Sequence, residues 1–132
     1  MIRGVAHIGI RVHDADVAAR FYAILGFVKT AGPLGPEHVS ILEHPSGVEI
    51  NLIPNAPGAT DANILMDLPM KHAGITHVAL LVPDLEVARA AIEAAGIVLS
   101  GGPVQFGPGA RGFFVRDPDR NVIELHERRA VP

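Results

Sequence analysis

The sequence predicts an α+β fold: two βαβββ repeats forming a cupped, mixed eight-stranded sheet with the helices outside. Three observations carry this expectation. Residues 4–33 and 74–103 align without a gap at an offset of 70, placing Gly4 on Gly74, His7 on His77, Asp14 on Asp84, Gly26 on Gly96 and Gly32-Pro33 on Gly102-Pro103. After a three-residue insertion the match resumes at an offset of 73, with Pro45 on Pro118, Asn51 on Glu124 and Leu52 on Leu125. Within each copy, β-branched runs give way to helical spacing and then return.

Each element has a local reason. Val5 to Val12 and Ile75 to Val82 read as opening strands, rich in β-branched residues. Asp14 and Asp84 follow as helix N-caps, where a side-chain oxygen accepts from the free amides of the first turn. Val17, Phe21 and Ile24-Leu25 then recur on one helical face, as do Val87, Ala91-Ile92 and Ala95 in the second copy. Gly26 and Gly96 end the helices as left-handed C′ residues. Phe27-Val28 and Ile97-Val98 start second strands; His38–Glu43 pairs with Val48–Ile53, and Gly112–Arg116 with Val122–His126. The turns His44-Pro45-Ser46-Gly47 and Asp117-Pro118-Asp119-Arg120 join these pairs. The glycine-rich stretch Phe106-Gly107-Pro108-Gly109-Ala110 carries the insertion and reads either as a mobile lid or as a long hairpin connection.

The chain of 132 residues is one domain's worth of sequence, divided into repeat 1 at about 1–55, a linker at about 56–73 and repeat 2 at about 74–132. The linker is expected to hold a short helical turn near Ile64–Leu68. Apolar residues at 48% and charged residues at 19% describe a soluble protein with a real core. A formal charge of −3 with scattered basic residues argues against nucleic acid or an anionic membrane as partner. The absence of cysteine excludes disulfides and thiolate chemistry, and no apolar run approaches membrane-spanning length. The expectation is a cytoplasmic protein acting on a small molecule.

Strand residues two apart share a face. His7, Gly9 and Arg11 therefore lie together, opposite Ala6, Ile8, Ile10 and Val12. Glu49, Asn51 and Ile53 share one face, and Val122, Glu124 and His126 another. On one curved surface, His7, Asn51, His77 and Glu124 would meet at its centre. Two imidazoles, a carboxylate and an amide form a donor set for a divalent metal. His13, His38, His44 and His72 sit in turns, caps or the linker and read as surface residues. His126 reads as solvent-facing or core, with a supporting role behind Glu124 as the alternative.

With its paired βαβββ units, VAHIGIRV beside THVALLV, Arg20-Phe21-Tyr22 before Leu25-Gly26-Phe27, and DPDRNVIELHE near its end, the chain resembles the vicinal oxygen chelate superfamily. This is the glyoxalase/bleomycin resistance/dioxygenase group; Arg120 stands where its DPDG signature has glycine. Length and layout are most similar to the short bacterial lactoylglutathione lyases, or glyoxalase I. That resemblance implies one divalent ion (Ni, Zn, Mn or Fe) on His7, Asn51, His77 and Glu124, and a homodimer as the assembly. It also implies that Arg11 binds a glutathione carboxylate and that Asn55 contacts glutathione. Gly102-Pro103-Val104 match the start of a further substrate loop, but Gln105 replaces a lysine of those enzymes. Arg111, beside the glycine stretch, is a further candidate for the substrate carboxylate. The main departure is Asn51, where glyoxalase I has a catalytic glutamate. Glu49 points to the same face two residues earlier and is a second candidate catalytic carboxylate. Methylmalonyl-CoA epimerases also carry an amide here, yet they need a third-strand glutamate where this chain offers Ser40.

Three functions follow. The first is a metal-dependent lyase or isomerase taking an α-hydroxycarbonyl substrate, in some cases a glutathione conjugate, through an enediolate with Glu124 as proton carrier. The second is an Fe(II) extradiol-type dioxygenase using two histidines and one carboxylate, with Asn51 a bystander. The third is a metal-free small-molecule or antibiotic-binding protein.

Overall fold

The computed structural model describes residues 1–58 and 62–130. It divides into two compact units, Met1–Thr60 and Asp61–Pro132. The first contains β1 (Ile8–Arg11), α1 (Ala15–Ile24), β2 (Val28–Leu34), β3 (Val39–Glu43) and β4 (Glu49–Ile53). The second contains β5 (His77–Leu81), α2 (Leu85–Ala94), β6 (Gly101–Gly107), β7 (Ala110–Arg116) and β8 (Val122–Arg128). The strands form two four-stranded sheets of order β1-β4-β3-β2 and β5-β8-β7-β6. In each, the opening strand runs parallel to the last one and the other pairings are antiparallel. The α+β class and the paired βαβββ units are thus as the repeat predicts. No described helix is long and apolar enough to cross a membrane.

The two helices start and stop by the same chemistry. Asp14 Oδ1 accepts from the amides of Asp16 and Val17 at 2.9 and 3.1 Å, and Asp84 Oδ1 from those of Glu86 and Val87 at the same two distances. Such a cap is worth about 1 kcal/mol over alanine. Gly26 at φ 97° and Gly96 at φ 83° terminate them. At Gly26 a Cβ would also approach His44 Nε2 to 2.9 Å, so a side chain there would have to displace that ring as well as adopt a positive φ.

Alternation divides each sheet into a core face and a polar face. In β4, Ile50 and Leu52 are fully buried, together with Val12, Tyr22 and Leu42. In β8, Ile123 and Leu125 pair with Val115 and Phe113 of β7 and join Leu85 of α2 in the core. Glu127 lies on this same face and is 1% exposed. It accepts from the Leu85 amide at 2.7 Å and from Arg111 Nε and Nη2 at 3.0 and 3.2 Å, so it tethers β8 to the start of α2 and to β7.

Several boundaries differ from the sequence reading. The opening strands begin at Ile8 and His77 rather than Val5 and Ile75; those two residues are 82% and 85% exposed, and each opening strand has a sheet neighbour on one side only. The second strand of the second unit begins at Gly101, beyond Ile97-Val98. Of the two readings of Phe106 to Ala110, the structure shows the hairpin: Pro108 and Gly109 form the turn, and the Arg129 amide donates to the Gly109 carbonyl at 2.7 Å. Ile64 to Asp67 make a single turn closed by the Asp67 amide on the Asn63 carbonyl at 2.8 Å. That segment is held to the second unit by Asp67 with Arg116 and by Asn63 with the Arg120 carbonyl.

The Arg111 guanidinium, followed by the Leu85 amide, holds the Glu127 carboxyl down from 4.5 to about 2. A depressed carboxyl stabilises the fold above its unfolded-state pKa and loses that contribution as pH falls through the folded value. Glu127→Gln should therefore lower the urea midpoint at neutral pH. The gap to the parent should close as pH falls from 4.5 to about 2, as equilibrium unfolding across that range will show.

Candidate active site

The polar face of the second unit carries a cleft of about 450 Å³. Its rows are His77, Ala79 and Leu81 from β5 and Glu124, His126 and Arg128 from β8, with Phe106 of β6 on the side. Each row is an i, i+2, i+4 series, and the register that pairs Ala79 with Glu124 sets His77 diagonally beside the carboxylate.

At the head of the cleft three polar side chains are joined. His77 Nε2 lies 3.3 Å from Glu124 Oε1. The other imidazole nitrogen, Nδ1, is 2.8 Å from the Thr76 hydroxyl. The second carboxylate oxygen, Oε2, accepts from His126 Nδ1. The Glu124 side chain is 6% exposed, so both of its oxygens are fixed with little water about them. Phe106 stacks on the His126 ring at 5.7 Å and 16°, and Phe114 meets the His77 ring edge-on at 5.8 Å. The ring orientations are thereby set by packing as well as by hydrogen bonds.

The room for this carboxylate comes from Gly112 on β7. A Cβ there would stand 2.9 Å from Glu124 Oε2, 2.9 Å from the Leu125 carbonyl and 3.1 Å from Phe106. No side chain fits without moving the acid, the ring or the backbone.

The equivalent face of the first unit carries His7, Glu49 and Asn51. His7 sits one residue before β1, with Nδ1 3.8 Å from Glu49 Oε2. Asn51 Oδ1 is buried and has no hydrogen-bond partner among the described residues. Beyond them, Arg11 Nη1 donates to Asn55 Oδ1, and Asn55 Nδ2 donates to Glu37 at 3.3 Å. The structure thus brings together Arg11 and Asn55, His7 and Glu49, and His77 and Glu124. Arg111 stands apart from these groups: its guanidinium is taken up by Glu127 of β8 and Glu86 of α2.

Among the described residues no three His, Cys, Asp or Glu side chains converge as a ready-made ligand cluster. The donors nevertheless suit a divalent cation. In the tautomer where the Thr76 hydroxyl accepts the Nδ1 proton, His77 Nε2 is a bare acceptor 3.3 Å from a carboxylate oxygen, and a cation between them would satisfy both. The partnerless Asn51 oxygen is a further donor of the same hard type.

Sequence reasoning missed two residues here, Thr76 and Gly112. His126 takes the alternative place that the sequence offered, behind Glu124, as an i+2 neighbour on the same face. Thr76 and Gly112 left no such signal, since their roles depend on contacts made across the sheet or at a strand end.

The superfamily described as Glyoxalase/Bleomycin resistance protein/Dioxygenase matches residues 4–125. No curated protein matches the chain. Among solved structures, a glyoxylase/bleomycin resistance protein/dioxygenase domain from Frankia sp. EAN1pec is 24% identical with a TM-score of 0.80, over 100% of this chain and 96% of that one. A glyoxalase family protein from Enterococcus faecalis is 25% identical with a TM-score of 0.73, covering 95% and 98% of the two chains. The fosfomycin resistance protein FosX from Listeria monocytogenes, at 17% identity and a TM-score of 0.73 over 98% and 94%, shares the fold.

Gly112→Ala should destabilise the protein by about 1–3 kcal/mol, the usual cost of crowding a packed site. Thermal unfolding measures this, and a melting temperature equal to the parent's would contradict the clearance argument.

Proposed function

Because the chain belongs to the Glyoxalase/Bleomycin resistance protein/Dioxygenase superfamily, we propose that it is a divalent-metal-dependent lyase or isomerase of glyoxalase I type. The observation that supports this most is the His77–Glu124 pair, with each partner braced from behind by Thr76 or His126. The ion is assigned to His77 and Glu124, with His7 and Asn51 as the equivalent donors of the first repeat. The substrate is a small α-hydroxycarbonyl, including a glutathione conjugate, and the assembly is a homodimer.

A divalent ion so held would polarise a substrate carbonyl and favour loss of the neighbouring C–H proton as the enediolate forms. The remaining work falls to side chains. Glu124 takes the proton on one carbon and returns it to the next, while the His126 N–H keeps its second oxygen aimed and stabilises its charge. The near-complete burial of the carboxylate limits proton exchange with water. The carboxylate of Glu49, on the same face as Asn51, is the second proton carrier in this scheme. Arg11, braced by Asn55, is the anchor for a substrate carboxylate.

A second reading, an Fe(II) dioxygenase, draws support from the amide at position 51: without Asn51 the donor set is two histidines and one carboxylate. Oxygen uptake with catechols after anaerobic iron loading, absent with Zn²⁺, would favour it over the isomerase.

In the leading reading, metal-reconstituted protein converts the hemithioacetal of methylglyoxal and glutathione. Glu124→Gln should lower kcat about 10²–10⁴-fold, the range of general-base contributions. Parent protein that leaves this substrate untouched would remove the glyoxalase reading. His126→Phe keeps the ring stack but removes the nitrogen, and should weaken divalent-metal affinity about 10–100-fold in a chelator-competition titration.

A further inference from the structure

The far end of the second-unit cleft holds a guanidinium with no acid beside it among the described residues. Arg89 pairs with Glu93, Arg111 with Glu127, Arg116 with Asp67 and Arg129 with Glu127. Arg128 lines the cleft, is exposed, and has no carboxylate partner among the described residues. It shares the polar face of β8 with Glu124, four residues away, or about 13 Å at the strand rise of ~3.3 Å per residue. Between the two ends lie His126, Ala79, Leu81 and Phe106, and the most exposed of these side chains are apolar. Leu81 is 68% exposed and Phe106 48%, side chains that water solvates poorly and that an apolar ligand segment would cover.

The repeat sharpens the comparison. At its two offsets, Leu81 corresponds to Arg11 and Arg128 to Asn55. In the first unit the guanidinium at this layer is bonded to Asn55, which is itself held by Glu37. In the second unit the cation has moved to the last strand, and an apolar side chain faces it instead of an amide.

From this we infer that the substrate carries an oxyanion, carboxylate or phosphate, bound by Arg128, with an apolar segment of several carbons lying over Leu81 and Phe106 between that anion and the reacting oxygens. The inference rests on the reading of the His77–Glu124 end as the reacting end. The hemithioacetal of methylglyoxal, with its one-carbon tail, would react at the same end and leave both the guanidinium and the apolar strip unused, so it probes the reaction, and the substrate inferred here is a longer-tailed anion.

The test separates the two ideas by omitting the metal and the reacting oxygens. Octanoate, octyl phosphate and octanamide are titrated calorimetrically into metal-free protein and into Arg128→Gln. Both anions should bind the parent more tightly than the amide, and Arg128→Gln should weaken anion binding about tenfold, as expected for a lost charge-assisted hydrogen bond, while leaving octanamide unchanged. The tighter of the two anions identifies the source of the oxyanion. Anions that bind no better than octanamide, or equally to parent and variant, overturn the inference. That result would leave the hemithioacetal assay and the His77–Glu124 assignment untouched, and an inactive hemithioacetal assay would likewise leave this titration standing.

Discussion

Glu127 ties together three parts of the second half: the first free amide of α2, the Arg111 guanidinium on β7, and β8 itself. Because strand side chains alternate, a one-residue slip of β8 would carry Ile123 and Leu125 out of the core and drive Glu124 into it. The buried, fully partnered carboxylate of Glu127 makes such a slip expensive, since it would strand both the acid and Arg111 without partners. The register that survives sets Ala79 opposite Glu124 and His77 diagonally beside it. The chemistry on one face of the sheet is thus held in place by an ion pair on the other.

The two halves share a frame and differ in what it presents. Helix caps, terminating glycines and strand order are equivalent down to the hydrogen-bond distances. Yet Thr76 braces His77, while Ala6 at the matching position leaves His7 without that hydroxyl, and Glu49 faces the ring instead. Glu124 has a supported, buried carboxylate, whereas its counterpart is the Asn51 amide, whose oxygen has no partner among the described residues. Duplication preserved the backbone logic, and the functional groups diverged on it.

Much of this was legible in the sequence, because the deciding physics was local. Asp14 and Asp84 cap helices through amides two and three residues away, and Ile123 and Leu125 face inward by alternation alone. The resemblance in the final strand extends through the residues that the superfamily match covers, 4–125. What escaped depended on distant partners. Val5 and Ile75 are good strand formers, but nothing pairs with them, so the strands start later. Composition left the glycine stretch open between a lid and a hairpin connection; in the fold, β6 and β7 pair almost to its tip, the hairpin alternative. Arg111 looked available beside that stretch, and only the sheet reveals the acid that occupies it.

Gly112 has a consequence for reading other chains of this architecture. Its missing side chain is a vacancy shaped for one particular acid, bounded by a carbonyl that cannot retreat. Wherever that β7 position holds anything larger, an acid at the position of Glu124 has to point elsewhere or the strand has to bow outward. The residue there is accordingly a one-letter diagnostic of whether a relative can present its carboxylate as this protein does, and it can be read before any assay is run.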